Sequence, residues 1–227
     1  MAILYIIGTP IGNLGDISFR TIEILKNSDL VACEDTRHTQ KLLNHLGIRV
    51  RTLSCQSYNE EFAAAKIISL LNEGKTVSYA SDAGTPGLSD PGSVLVRMAA
   101  EAGHDIIPIP GPSAFTALLS VSGISGKTVI FEGFLSPKQG RRKKRLKELL
   151  DTNYSFVLYE SPYRIVKLFE DLSDLDNERF VCVGREMTKV HEEYLRGKIG
   201  EILAILREKA EKNGIKGEFS VIISGNY

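Results

Sequence analysis

The alternation of short apolar runs with helix-length segments that stop at glycine most limits the folds open to this chain. Runs of buried-strand type recur at Ile3 to Ile7, Leu30 to Cys33, Val50 to Leu53, Thr76 to Ala80 and Ile106 to Ile109. Between them Phe19, Ile22 and Leu25 share one helical face. Leu42, Leu43 and Leu46 lead to Gly47, Phe62 to Leu71 leads to Gly74, and Val94 to Ala102 leads to Gly103. Each glycine stands where a helix needs a left-handed end. The pattern predicts a mostly parallel sheet.

After Pro110-Gly111-Pro112 a second series begins, with strands near Val129 to Phe131, Phe156 to Tyr159, Phe180 to Val183 and Glu218 to Ile223. Its helices are expected near Ser113 to Val121, Gly140 to Leu150, Pro162 to Leu172 and Ile199 to Lys212. Ser161-Pro162 reads as a helix start, a capping side chain followed by a proline at the first helical position. The boundary falls near residues 111 to 125. It separates an N-terminal α/β domain (1–115, mostly parallel sheet) from a C-terminal one (116–227, mixed sheet). The halves show no alignable repeat and no low-complexity tract.

With 43% hydrophobic and 25% charged residues in 227, the chain can bury real cores and is not mainly disordered. Its 28 Lys plus Arg balance 28 Asp plus Glu, so attraction to nucleic acid or membrane must come from a local patch. Cys33, Cys55 and Cys182 lack the spacing of a disulfide framework or zinc site and read as buried apolar residues in a reducing cytosol. The first residues read as a strand rather than a targeting segment. No stretch reaches the roughly 18 uninterrupted apolar residues of a spanning helix, so a soluble, cytoplasmic protein is expected.

Ligands gather at the carboxyl ends of parallel strands, so the loops there are the first candidates for a site. Gly8-Thr9-Pro10-Ile11-Gly12-Asn13-Leu14-Gly15-Asp16 lets backbone approach a ligand, but it lacks Gly-x-Gly-x-x-Gly spacing and fits an ordinary tight turn as well. Ser81 to Gly92 is a twelve-residue loop with three Gly, two Pro and two Asp, a length that favours function. In Ile109-Pro110-Gly111-Pro112-Ser113-Ala114, Ser113 fits both a helix cap and a ligand contact. Gly123 to Thr128 misses the phosphate-loop pattern because its first glycine would fall at Val121. No histidine has metal spacing, and no Gly-x-Ser-x-Gly elbow occurs.

Three charged clusters remain. Lys138, Arg141, Arg142, Lys143, Lys144, Arg145 and Lys147 form a run without an acidic residue, suited to nucleic-acid phosphates or to a solvated helix face. Glu34-Asp35-Thr36-Arg37 follows the second strand, and Arg185-Glu186-Met187-Thr188-Lys189 follows the strand ending at Val183. Both are candidates for substrate contact, and equally for helix capping and ion pairing.

Taken in order, the loops at 7–16, 33–37, 81–92 and 110–114, with Tyr159-Glu160-Ser161-Pro162-Tyr163-Arg164 and Arg185 to Lys189, resemble the tetrapyrrole methylase superfamily. The resemblance covers essentially the whole chain and points to a branch that methylates ribosomal RNA. It implies two α/β domains of the tetrapyrrole methylase type with S-adenosylmethionine in the cleft between them, in a homodimer. The implied reaction is 2′-O-methylation of a decoding-region cytidine of 16S rRNA in the small ribosomal subunit. By motif, the implied cofactor contacts are Pro10, Ile11, Asp82, Ala83, Gly84, Thr85, Ser113, Ala114, Tyr159 and Met187, together with Lys216, Gly217 and Glu218.

A sulfonium methyl donor is already activated, so such an enzyme mainly aligns the reacting atoms, excludes water and needs no metal. A ribose hydroxyl is a very weak acid, so a base should help. Glu34, Asp35, Arg37, Glu186 and Lys189 are the expected catalytic residues, with Lys189 as a depressed-pKa base or an electrostatic aid. Lys138, Arg141, Arg142, Lys143, Lys144 and Arg145 are the expected RNA-binding set. The chain stops at Ser224-Gly225-Asn226-Tyr227, where many relatives continue with a small helical segment, which reads as a short natural form or a shortened one. Two other readings stay open: a methyltransferase of the same superfamily acting on a corrin precursor, and a non-catalytic RNA-binding module.

Overall fold

The computed structural model describes residues 2–124 and 126–225, the Asn213 side chain excepted. Ser125 of the near-miss phosphate loop and the last two residues, Asn226 and Tyr227, lie outside the described residues. The chain forms two compact units, Met1–Ser113 and Ala114–Tyr227, each with its own five-stranded sheet.

In the first unit the strands are β1 (Ile3–Ile7), β2 (Leu30–Cys33), β3 (Arg51–Ser54), β4 (Val77–Ala80) and β5 (Asp105–Ile109). They lie in the order β3-β2-β4-β1-β5, every pair parallel. Helices α1 (Phe19–Asn27), α2 (Thr36–His45), α3 (Glu60–Asn72) and α4 (Ser93–Glu101) join them. Strand alternation sorts the core by face. Leu4, Leu30, Ala32, Val77 and Tyr79 pack against Ala63, Ala64, Ile67 and Leu71 of α3 and Leu95 and Ala99 of α4. Ile7, Val31, Ala80 and Ile109 pack on the other face against Leu25 of α1 and Leu43 of α2. Both faces are covered, as a parallel sheet requires.

Gly47, Gly74 and Gly103 follow α2, α3 and α4 at φ of 67°, 82° and 78°, the left-handed ends that the sequence predicts. Phe19 departs from its expected face. It opens α1 behind the Ser18 cap and is 93% exposed, leaving Ile22 and Leu25 to meet the core.

α4 has Gly92 at its N-cap position, with no side chain to cap the helix, and the cap comes from another helix. Glu60, buried in the first turn of α3, accepts from the amides of Gly92 (2.9 Å), Val94 (2.9 Å) and Leu95 (3.2 Å) with one oxygen. Glu60→Ala strands those donors and should lower unfolding free energy by about 2–3 kcal/mol in urea denaturation. Glu60→Gln keeps an acceptor and should lose less. Equal midpoints for alanine and wild type would show that water replaces the cap.

The second unit contains α5 (Ala114–Ser122), β6 (Val129–Phe134), α6 (Gln139–Asp151), β7 (Ser155–Glu160), α7 (Ile165–Leu175), β8 (Phe180–Arg185), β9 (Glu193–Lys198), α8 (Ile199–Asn213) and β10 (Phe219–Ile223). Its sheet, β6-β7-β10-β8-β9, is mixed: β6 and β7 run parallel and the remaining pairs antiparallel. Helices α6, α7 and α8 cover one face through Leu146, Leu149, Phe169, Leu172, Ile202 and Leu206. Leu118 of α5 packs on the other, with Val157, Cys182 and Ile222. α7 begins at Ile165 with Arg164 at its N-cap position, so Ser161-Pro162 lies in a preceding turn and is not the helix start that the sequence predicts. All three cysteines are free and fully buried. No helix among the described residues is long and apolar enough to cross a membrane.

Candidate active site

Because β1 to β5 are parallel, the loops leaving them share one edge of the first sheet, and backbone hydrogen bonds lace them together. Thr9 and Gly84 exchange both of their amide–carbonyl bonds, at 2.8 and 3.1 Å. The Thr9 hydroxyl donates to the carbonyl of Ser81 (3.2 Å), and Thr85 Oγ1 donates to the carbonyl of Pro112 (3.2 Å). The Gly8 amide donates to the Ile109 carbonyl. A Cβ built on Gly111 would stand 2.5 Å from the Gly8 carbonyl oxygen, and one on Gly8 would stand 2.8 Å from the Gly111 Cα. Neither position admits a side chain, so two strand-end loops close backbone to backbone into a cradle. Pro10, Ile11, Asp82, Ala83, Gly84, Thr85 and Ser113 all lie on these laced loops.

Asp82 also fixes the exit of β2, since its Oδ1 accepts from the Asp35 amide at 3.0 Å. Asp35 caps α2 through the Arg37 amide and pairs with the exposed Arg37 guanidinium at 2.7 Å. Those hydrogen bonds from the Arg37 side chain and backbone hold the Asp35 carboxyl well below its ordinary value. Glu34 is the opposite case. Burial, and then the charges of Asp82 and Asp90, push its carboxyl up, outweighing a backbone hydrogen bond from Asp82. Burial also raises Asp90, against a hydrogen bond from Ser81 and with the Asp82 charge adding to it. Beneath these carboxylates lies Tyr79, fully buried, its hydroxyl without a hydrogen bond among the described residues. Burial, then Cys55 and Glu34, raise that phenol far above its usual range.

In the second unit the loop after β8 is strained. Glu186 and Thr188 take φ of 48° and 68°, left-handed values unusual for such side chains and costly for the β-branched threonine. Reciprocal bonds hold the turn: the Glu186 amide donates to the Glu218 carbonyl (3.0 Å), and the Glu218 amide to Glu186 Oε1 (2.9 Å). Gly217 is required beside it, because a Cβ there would meet Glu186 Cγ at 2.4 Å. Lys189 Nζ bridges Glu186 Oε1 (2.8 Å) and Glu218 Oε2 (2.7 Å). Met187 is buried under the turn, and Thr188 Oγ1 is buried without a partner among the described residues.

Lys189 does not have the depressed pKa that the sequence reading allowed it. Burial pulls the amine down, but the hydrogen bonds it donates to Glu186 and Glu218 outweigh it and the net direction is up. Lys189 is therefore a fixed cation. Its hydrogen bond in turn lowers the Glu186 carboxyl against burial.

The basic run is also less free than its sequence suggests. Arg142 is 4% exposed and pairs with buried Asp171 at 2.6 Å, so it faces the core and not RNA. Arg145 forks onto Glu132 (2.7 Å) and reaches Glu148 (3.1 Å), and Lys143 pairs with Asp174 (2.7 Å). Among the described residues, Lys138, Arg141, Lys144 and Lys147 have no ion pair. The separation was hidden because Glu132 lies on β6 and Asp171 and Asp174 lie on α7, distant from the run in sequence.

Sequence reasoning missed Tyr79, and it named Asp90 and Thr188 only as members of their loops. Tyr79 reads as an ordinary strand residue, and nothing in a threonine announces a left-handed backbone.

Comparison with known proteins agrees with this architecture. A protein of Borrelia garinii subsp. bavariensis named ribosomal RNA small subunit methyltransferase I is 43% identical over 221 residues, spanning 97% of this chain and 98% of that one. A protein of the same name from Thermotoga maritima is 42% identical over 225 residues, 99% of each chain. The crystal structure of the methyltransferase CobJ, 15% identical, superposes with a TM-score of 0.72 over 99% of this chain and 95% of that one, a likeness of fold. The family described as Tetrapyrrole (Corrin/Porphyrin) Methylases matches residues 3–203, and with both kinds of likeness in hand the chain belongs to that family.

Proposed function

We propose that this chain transfers a methyl group from S-adenosylmethionine to the ribose 2′-hydroxyl of a decoding-region cytidine in 16S rRNA of the small ribosomal subunit. The observation that carries this reading is the likeness, above 40% identity along nearly the whole of both chains, to proteins named for small-subunit rRNA methylation. The same reading makes it a cytoplasmic homodimer.

The laced loops suit such a cofactor, because the Thr9–Gly84 pairing and the Gly8–Gly111 contact hold the backbone of three strand ends at fixed positions. Pro10, Ile11 and Asp82 to Thr85 are the residues of the first unit that would hold it. When bound, the sulfonium supplies a methyl group already activated for transfer to an oxygen. The chain's own residues orient that oxygen and take its proton. Among the five expected catalytic residues, Glu34 alone is a carboxylate held above its ordinary pKa, which makes it the best base of the set. Lys189, a fixed cation, serves as an electrostatic aid, and Asp35 and Glu186, held low, are poor bases.

The test is methyl transfer from radiolabelled S-adenosylmethionine to small subunits lacking the modification, with nuclease mapping of the labelled ribose and free 16S rRNA alongside. Label on one decoding-region cytidine 2′-oxygen is the expected result. Cofactor binding without label on either RNA would move the acceptor to a small molecule. No cofactor binding at all would favour an RNA-binding module.

A further inference from the structure

Two aromatic rings stand in solvent beside unpaired cations at one edge of the second sheet. β6 ends at Phe134, which is 61% exposed although its ring meets Tyr159 edge-on with centroids 5.8 Å apart. Tyr163, in the turn between β7 and α7, is 88% exposed. Arg164 clasps that turn to the exit of β6. Its guanidinium forks onto Glu160 at 2.7 and 2.8 Å and donates to the Leu135 carbonyl at 3.0 Å, which brings Tyr163 to the segment that carries Phe134. The same segment runs into Lys138, and Arg141 and Lys144 follow at one-turn intervals along α6, all three exposed and without an ion pair among the described residues. Arg142, bonded to Asp171, anchors this end of α6 and turns its neighbours outward.

We propose that this edge binds a single-stranded RNA segment, with Phe134 and Tyr163 stacking on bases and Lys138, Arg141 and Lys144 contacting its phosphates. The proposal rests on the rRNA reading above and names the form of RNA that the surface accepts. Charge decides the occupant. An apolar protein face would cover the rings but desolvate three cations with nothing to neutralise them, whereas a polynucleotide supplies π-faces and anions together. A duplex supplies the phosphates but keeps its bases stacked inside, out of reach of both rings.

The test is fluorescence anisotropy with a labelled unstructured RNA of about 15 nucleotides and a hairpin of equal length, over a salt series. Tyr163→Ala, whose ring is almost wholly in solvent, should weaken single-strand binding by roughly 5- to 150-fold without changing the salt dependence. Tyr163→Phe should restore it, and Phe134→Ala should act in the same direction. The triple variant Lys138→Ala/Arg141→Ala/Lys144→Ala should flatten the slope of log affinity against log salt by about 2. Thermal melting checks that each variant is folded. If wild type methylates small subunits and binds the single strand while Tyr163→Ala and the triple variant bind equally well, the surface is wrong and the function stands. Hairpin binding as tight as single-strand binding also overturns it. A wild type that binds neither RNA and labels no subunit removes the rRNA reading, and this surface with it.

Discussion

Arg142→Ala should lower the unfolding free energy by about 3–5 kcal/mol, because it strands a buried carboxylate. Arg142 and Asp171 are both almost wholly buried, joined through Nη2 at 2.6 Å and Nε at 2.7 Å, and Arg142 Nη1 also donates to the Pro137 carbonyl at 3.3 Å. Without the guanidinium, Asp171 keeps Gln139 (3.1 Å) and a distant Lys143 (3.6 Å), too little to offset its desolvation. The double replacement Arg142→Met/Asp171→Leu removes both charges and should recover much of the loss, whereas Lys144→Ala on the solvent side of α6 should stay within about 0.5 kcal/mol. Urea midpoints compare the three. A shift for Arg142→Ala no larger than for Lys144→Ala would show that the pair contributes nothing net. The result also governs how RNA binding is probed, since weakened binding by an Arg142 variant would report a loosened α6.

The first unit was the more legible half because its inner strands β1, β2 and β4 are mostly apolar and covered on both faces, with glycine after α2, α3 and α4. In the second unit β9 went unread. Glu193-Tyr194-Leu195-Arg196-Gly197-Lys198 is charged and pairs only with β8, so it has the composition of an edge strand and little hydropathic signal. Ser161-Pro162 was misleading for a related reason. A cap and a proline are local features, but residues 161–164 form a turn spanned by the Glu160–Arg164 ion pair, and α7 begins only at Ile165. The strand-end loops were found from glycine and proline alone, whereas the charge state of their residues depended on partners distant in sequence. Lys189 illustrates this: Glu186 is three positions away, but Glu218, its second partner, arrives only through the pairing of β10 with β8.

Glu34→Gln should lower the single-turnover rate of methyl transfer by about 10²- to 10⁴-fold, the range for loss of a positioned base, with little change in cofactor affinity. Burial and the charges of Asp82 and Asp90 hold the Glu34 carboxyl above its ordinary value, so the wild-type rate should fall as pH drops through that raised value. The glutamine variant should lose this inflection. Stability should move the other way. A carboxyl whose folded pKa is raised binds its proton more tightly in the native state. Its contribution is therefore complete below the unfolded pKa and is lost as pH rises through the folded one. At neutral pH the Glu34 charge costs stability, and Glu34→Gln should melt at or above the wild-type temperature while turning over far more slowly. A structural role predicts the reverse, a variant that is both slower and less stable. A Glu34→Gln enzyme with the wild-type rate and pH profile removes Glu34 from the chemistry. Asp90→Asn tests the cause of the raised value: relieving one neighbouring charge should shift the inflection in the rate toward lower pH and leave the plateau in place.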